Sequence, residues 1–201
     1  MSIRVLGIDP GLTRCGVGIV DVMPNRQATL VDVVVIRTPP ALPLAERLLA
    51  VGNGIEELLD RFAPDAVAIE RVFAQQNLRT VMGTAQVSGV ALHAAARRSL
   101  PVGLHTPSEV KASITGYGSA DKKQVAAMVT RVLGLSVAPT PADASDALAI
   151  AICHAWRRSS GPSAGSAPGP ATGAGLTPAQ ERWLAAERSA SRSVADRRLA
   201  P

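Results

Sequence analysis

The sequence predicts an α/β layer structure: a mixed sheet, three antiparallel strands first and parallel strands after, flanked by helices. Three observations carry this. Apolar runs near the N-terminus are joined by short turns, the apolar period changes from two to three-and-four at Leu44, and single strands then alternate with helices.

Residues 3–9, Ile-Arg-Val-Leu-Gly-Ile-Asp, read as a buried strand ending in a carboxylate, and Pro10-Gly11 forces a turn. Residues 15–22 read as a second strand whose glycines suit close backbone approach. Pro24-Asn25-Arg26 makes the hairpin turn into a third strand at 28–37. From there Leu44, Leu48, Val51, Ile55, Leu58, Leu59 and Phe62 fall on one face of a helix that Pro64 and Asp65 stop. Ala66–Glu70 returns as a buried strand. A long small-residue helix is expected over Gln76–Arg98, then a strand at Val102–His105 and a helix over Pro107–Ile114. A Gly-rich loop at Thr115–Gly118 leads to two more helices, Lys122–Leu133 and Ala144–Arg158.

The composition changes after Arg158. Seventeen of the eighteen residues from Ser159 to Leu176 are Gly, Pro, Ala, Ser or Thr, which cannot supply a core. Thr177-Pro178 could start a short exposed helix over Gln180–Ala190. The organisation read from the sequence is therefore one domain, 1–158, and a mostly disordered tail, 159–201. At 47 % hydrophobic the 201-residue chain can bury a sizeable core, although aromatics are only 2 %. The net charge of +5 is mildly basic and by itself barely points to nucleic acid. Cys15 and Cys153 form no metal-ligand spacing and read as buried thiols. No apolar stretch reaches the ~18 residues of a membrane span. The N-terminus lacks the sections of a signal peptide, so a cytoplasmic protein with no membrane contact is expected.

The chemistry lies in the carboxylates. Asp9 and Glu70 each end an apolar run, an expensive place for a charge unless something compensates it. Asp143 and Asp146, spaced i, i+3 at a helix start, can face one side. A turn residue alone would explain Asp9, and a helix cap alone would explain Asp143. The four together suggest a metal centre, because divalent cations relieve their repulsion and hard oxygens suit Mg²⁺, with Mn²⁺ as a substitute. Two such ions, ~3.5–4 Å apart, can clamp a scissile phosphate and activate water. His93, His105 and His154 share no spacing with the acids and read as structural or surface residues.

Four segments, in order and spacing, carry a resemblance: Gly7-Ile8-Asp9-Pro10-Gly11, Ala68-Ile69-Glu70-Arg71-Val72-Phe73, Thr115-Gly116-Tyr117-Gly118-Ser119-Ala120-Asp121-Lys122, and Asp143-Ala144-Ser145-Asp146-Ala147-Leu148-Ala149-Ile150-Ala151. Over about residues 3–158 the chain resembles the RuvC family, bacterial Holliday-junction resolvases with an RNase H-like fold. The resemblance implies that Asp9, Glu70, Asp143 and Asp146 bind metal, with two ions per subunit. It places Lys111 and Lys122 near the scissile phosphate and DNA backbone, Lys122 with a catalytic role; Lys123 competes with Lys122 for that place. Phe73 falls on the family's exposed aromatic, which stacks on a base near the junction centre. Arg71 and Arg79 flank it and could contact phosphates.

The resemblance further implies a homodimer through the small-residue helix, whose symmetry suits the near two-fold junction, and a partnership with the RuvA–RuvB branch-migration machine. The implied activity is paired, symmetric nicking of two strands of like polarity in recombination and repair. Residues 82–89 depart from the more basic version of the family, so dimer or DNA contacts there can differ. Other readings are an actin-like phosphotransferase, which needs a second related domain, a non-catalytic junction-binding module, and another RNase H-like nuclease with an RNA-processing role.

Overall fold

The computed structural model describes residues 1–71 and 78–159, within one compact unit, Met1–Ser163. Strands β1 (Ile3–Asp9), β2 (Arg14–Val22) and β3 (Ala28–Arg37) come first. Then follow α1 (Leu44–Phe62), β4 (Ala66–Glu70), α2 (Leu78–Arg97), β5 (Val102–His105), α3 (Pro107–Thr115), α4 (Lys122–Val132) and α5 (Ala142–Ser159). The sheet runs β3-β2-β1-β4-β5. Pairing is antiparallel for β1 with β2 and β2 with β3, and parallel for β1 with β4 and β4 with β5. This is the mixed order the sequence predicts, and every element predicted within residues 1–158 is present; the short helix expected over 180–190 lies outside the described residues.

The strand period of two divides the sheet into two cores. Val5, Val20 and Ala68 point to the face covered by α3, α4 and α5, where they meet Val110, Val129, Leu148, Ile150 and Ile152. Leu6, Ile8, Val17, Ile19 and Ile69 point to the other face, against Val51, Ile55 and Leu59 of α1 and Val87, Ala91 and Ala94 of α2. Complete burial of side chains of this size contributes about 1.5–3 kcal/mol each, so β1 and β4, buried on both faces, form the rigid centre.

Glycines set how closely α5 approaches. A Cβ on Gly7 would lie 2.6 Å from the Ala151 amide nitrogen, and one on Gly18 would lie 2.8 Å from that of Leu148. A Cβ on Gly16 would collide with the Asp143 carbonyl oxygen. These three residues therefore let the backbone of α5 rest directly on β1 and β2.

The helix ends follow their chemistry. α3 and α4 each open with a reciprocal capping box, Thr106 with Glu109 and Asp121 with Gln124. α1 ends at Ala63 in the left-handed conformation, with Pro64 preventing its continuation. Several expectations are corrected. β2 begins at Arg14, because that residue already pairs with Arg37 of β3. Leu44 is 45 % exposed rather than on the buried face of α1, since it stands in the first turn, off the core. α5 begins at Ala142, so Asp143 stands inside its first turn and is not the cap. There its charge still favours the positive helix end. α2 ends at Arg97, and Ser99 adopts a positive φ of 54° as the chain turns. The proposed start of α2 at Gln76 and the tail from residue 160 lie outside the described residues. Among the described residues no helix is long and apolar enough to cross a membrane.

Candidate active site

The parallel pairing of β1 with β4 runs through Ile8 and Ile69, so the next residue of each strand, Asp9 and Glu70, emerges at the same end of the sheet. Asp9 pairs across the other side with Gly16, the residue whose missing side chain seats the first turn of α5. That seat brings Asp143 toward Asp9. Asp146, one helical turn on, then joins Asp9 and Glu70 in a cleft of about 200 Å³, alongside Lys111 and Lys122. A water occupies about 30 Å³ of liquid, so the cleft has room for several small groups. Pro107, Val110, Val125, Ala149 and Ile150 form its apolar floor and walls.

The electrostatics are those of crowded, partly dehydrated acids. Burial pushes the Asp9 carboxyl up to about 8, and Glu70, Asp146 and Asp143 push in the same direction. Asp9 shares a hydrogen bond with Glu70; burial also raises Glu70, while that bond, Lys122 and Lys111 oppose the rise. Burial and mutual repulsion thus raise the proton affinity of the Asp9–Glu70 pair as a unit.

Two of the four acids face cations of the chain itself. Lys122 Nζ donates to Asp146 Oδ2 at 3.0 Å, and that bond holds the ammonium above its ordinary range. Arg14 Nε stands 3.0 Å from Asp143 Oδ2, and Asp143 does not line the cleft. Among the described residues, accordingly, no three His, Cys, Asp or Glu side chains are drawn together as they would be around an ion. The donor set nonetheless fits one. The oxygens are hard, and a divalent cation would offset the repulsion that raises Asp9.

Of the two lysines competing for the phosphate-side place, Lys122 lines the cleft and Lys123 does not. Asp121 and Gln124 fix the first turn of α4, from which Lys122 reaches inward. Lys111 reaches in from α3. Arg71 is exposed, and its amide donates to the His105 carbonyl at 2.7 Å; it does not line the cleft. Phe73 and the side chain of Arg79 lie outside the described residues.

Two features escaped the sequence reading. Arg14, the partner of Asp143, carries no local sequence signal of that pairing. His105 and His154, read as separate structural residues, share a buried hydrogen bond of 2.9 Å between His105 Nε2 and His154 Nδ1. Among the described residues His154 Nε2 has no hydrogen-bond partner. His105 lies opposite Glu70 in the β4–β5 register, so the pair supports the sheet end that carries Glu70. The signal was present in two places: His154 follows Ala147 and Ala151 on the buried helical face, and His105 ends a strand.

The strand order, with acids where the two central strands end, defines an RNase H-like α/β domain. The family model described as crossover junction endodeoxyribonuclease RuvC matches residues 5–154. A protein of that description from Leifsonia xyli is 71 % identical over the whole of both chains; one from Clavibacter michiganensis is 64 % identical over 92 % of this chain and 97 % of its own. The structure of Thermus thermophilus RuvC in complex with a Holliday junction substrate superposes with a TM-score of 0.75 at 38 % identity, covering 79 % of this chain and 96 % of that one. The yeast mitochondrial Holliday junction resolvase Ydc2 shares the fold, with a TM-score of 0.55 at 15 % identity over 78 % of this chain and 81 % of that one. The chain belongs to the RuvC family of crossover junction endodeoxyribonucleases.

Proposed function

We propose that this protein resolves Holliday junctions in recombination and repair, making paired, symmetric, Mg²⁺-dependent nicks in two strands of like polarity. The observation that carries the reading is the cleft that Asp9, Glu70 and Asp146 line together with Lys111 and Lys122. A site for an anionic substrate would not be lined with acids unless cations were to stand between them and the phosphate.

Asp9, Glu70, Asp143 and Asp146 would hold the metal, two ions per subunit, with Mn²⁺ able to replace Mg²⁺. When bound, the metal supplies Lewis-acid polarisation of the phosphate and an activated water. The chain's own residues do the rest. Lys122 leaves Asp146 and neutralises charge developing on the phosphoryl oxygens. Lys111 adds a second positive group on the same wall. The apolar floor of Val110, Val125, Ala149 and Ile150 limits competing water. Phe73 would stack on a base at the junction centre, with Arg71 and Arg79 on neighbouring phosphates.

A second copy pairs through α2. Met82, Ala85, Gly89, Leu92 and Ala96 are exposed at helical spacing and form an apolar stripe, which suits an isologous interface presenting two sites to two strands. The enzyme works in the cytoplasm beside the RuvA–RuvB machine. Incubation with a labelled four-way junction and a matched duplex, with and without Mg²⁺, tests this reading. Paired nicks confined to the junction and to Mg²⁺ are expected; equal cutting of duplex would overturn it.

A further inference from the structure

The lysines of the cleft reach the acids from α3 and α4, the helices that follow β5. The ends of β2 and β3 carry a second set of cations that the site as described does not use. Arg14 and Arg37 are direct partners in the antiparallel register of β2 and β3. Both side chains are exposed, and both leave the sheet on the face that Asp9 shares, because Asp9 pairs with Gly16, two residues from Arg14.

Like charges directly opposite across two strands cost stability. Arg14 is compensated by Asp143 at 3.0 Å. Arg37 makes no ion pair among the described residues. A third arginine reinforces the positive end rather than neutralising it. Arg47 spends its donors on hydroxyls, Nε to Thr38 Oγ1 at 2.9 Å and Nη2 to Thr13 Oγ1 at 2.8 Å. It thereby ties together the residues next to Arg14 and Arg37, and Thr38 also donates to the Leu12 carbonyl. The chain thus fixes a repulsive pair in place at the edge of the acid cluster.

We infer that Arg14 and Arg37 form a phosphate-binding pair that carries a DNA strand into the site from the β3 side. The inference rests on the junction-nuclease reading and deepens it. Two guanidinium forks side by side suit a backbone of repeated phosphates, which relieves the repulsion between them. Arg14 has a further part. Its guanidinium lies 3.0 Å from Asp143, and a cation taken by Asp143 would free that guanidinium for the incoming phosphate.

The test uses the full chain and a fluorescently labelled synthetic junction, with Ca²⁺ in place of Mg²⁺, binding being followed by anisotropy from 50 to 200 mM salt. Each lost phosphate contact removes about one unit from the slope of log affinity against log salt. Wild type should therefore lose about 3-fold more affinity across that range than Arg37→Gln. Arg37→Lys should restore the slope. The melting temperature of Arg37→Gln should not fall, because a repulsion has been removed. An unchanged slope overturns the phosphate pair, as does a joint fall in melting temperature and binding that Arg37→Lys does not rescue. A wild-type chain that holds duplex as tightly as junction overturns the junction reading instead, and the Arg37→Gln slope still decides this one.

Discussion

Replacing Gly16 by alanine tests whether the seat of α5 on the sheet makes the site. The added Cβ would stand 2.9 Å from the Asp143 carbonyl carbon, about 0.5 Å inside ordinary contact at 3.4 Å, and closer still to the carbonyl oxygen. Neither partner is the free end of a flexible side chain: one is a strand and the other a helix backbone. The first turn of α5 must therefore recede by on the order of 1 Å, since the interior offers no void to absorb it. Overpacking of this kind costs about 1–3 kcal/mol, or roughly 2–4 °C of melting temperature per kcal/mol in a chain of this size. The same shift carries Asp143 and Asp146 away from Asp9, and a misplacement of that size can cost about 100-fold in rate. Gly83→Ala is the matched control. Its Cβ would meet Leu12 at 3.4 Å, an ordinary contact, and a helical glycine gains about 0.5–1 kcal/mol on becoming alanine. Junction cleavage measured below the melting transition, beside thermal unfolding, should show Gly16→Ala slow and less stable, and Gly83→Ala fast and no less stable. A Gly16→Ala enzyme that melts and cuts like wild type would refute the seat. One that loses stability but keeps its rate would refute the link from the seat to the acids.

Asp9→Asn should abolish cleavage of a synthetic junction while leaving gel-shift binding intact, because it removes a negative charge from the proposed metal centre but not the cationic walls; undiminished cutting would remove Asp9 from the centre. A chain ending at residue 158 should fold and cut junctions, since the composition of the remainder, rich in Gly, Pro and Ala, is poor in core-forming side chains, and a truncated protein that folds but cannot cut would move the boundary. Gly89→Arg, on the exposed stripe of α2, should turn a dimer into a monomer in light scattering without lowering the helical circular-dichroism signal; a dimer that persists would place the interface elsewhere. Burial, with His105 next, pushes His154 down to about 4 from 6.5. Its folded value lies below its unfolded one, so its contribution is complete above pH 6.5 and is lost as pH falls toward 4, on the order of 3 kcal/mol. Urea unfolding at pH 7 and 4.5 should show the loss, and His154→Gln should show less of it; equal slopes would mean that the imidazole is not held neutral.

What could be read from the sequence was what is encoded locally. β1 and β4 declared themselves by apolar runs ending in a carboxylate, and the glycines of β2 by their place inside a strand, where only close backbone approach explains them. The helices of the second half were legible from period and caps to within a residue or two. Leu44 was misplaced because periodicity reports which face a residue is on and not whether a core lies beneath that turn. The cap reading of Asp143 failed for a related reason. The helix start depends on the turn before it, and moving it two residues back to Ala142 turns a cap into a first-turn acid.

What could not be read were pairings set by register over long separations. His105 and His154 are 49 residues apart, and nothing in either neighbourhood names the other. Arg14 and Arg37 become neighbours only once β2 and β3 are aligned. The division has a physical consequence for the site. Its acids sit at strand ends and a helix start, and Asp9 and Glu70 carry a local signature of burial at odds with charge. Its cations stand on exposed positions, where a charge is ordinary and only the company it keeps gives it meaning. Lys122 was singled out by family spacing, and its contact with Asp146 at 3.0 Å now supplies a geometric reason. Arg14 had no such spacing, yet it makes the equivalent contact with Asp143 at the same distance. Each contact engages one oxygen, Oδ2, of its acid, so if the four carboxylates hold metal as proposed, each cation competes with it for that acid. Removing either cation should therefore favour metal binding even as it weakens the hold on phosphate, two effects of opposite sign from one substitution.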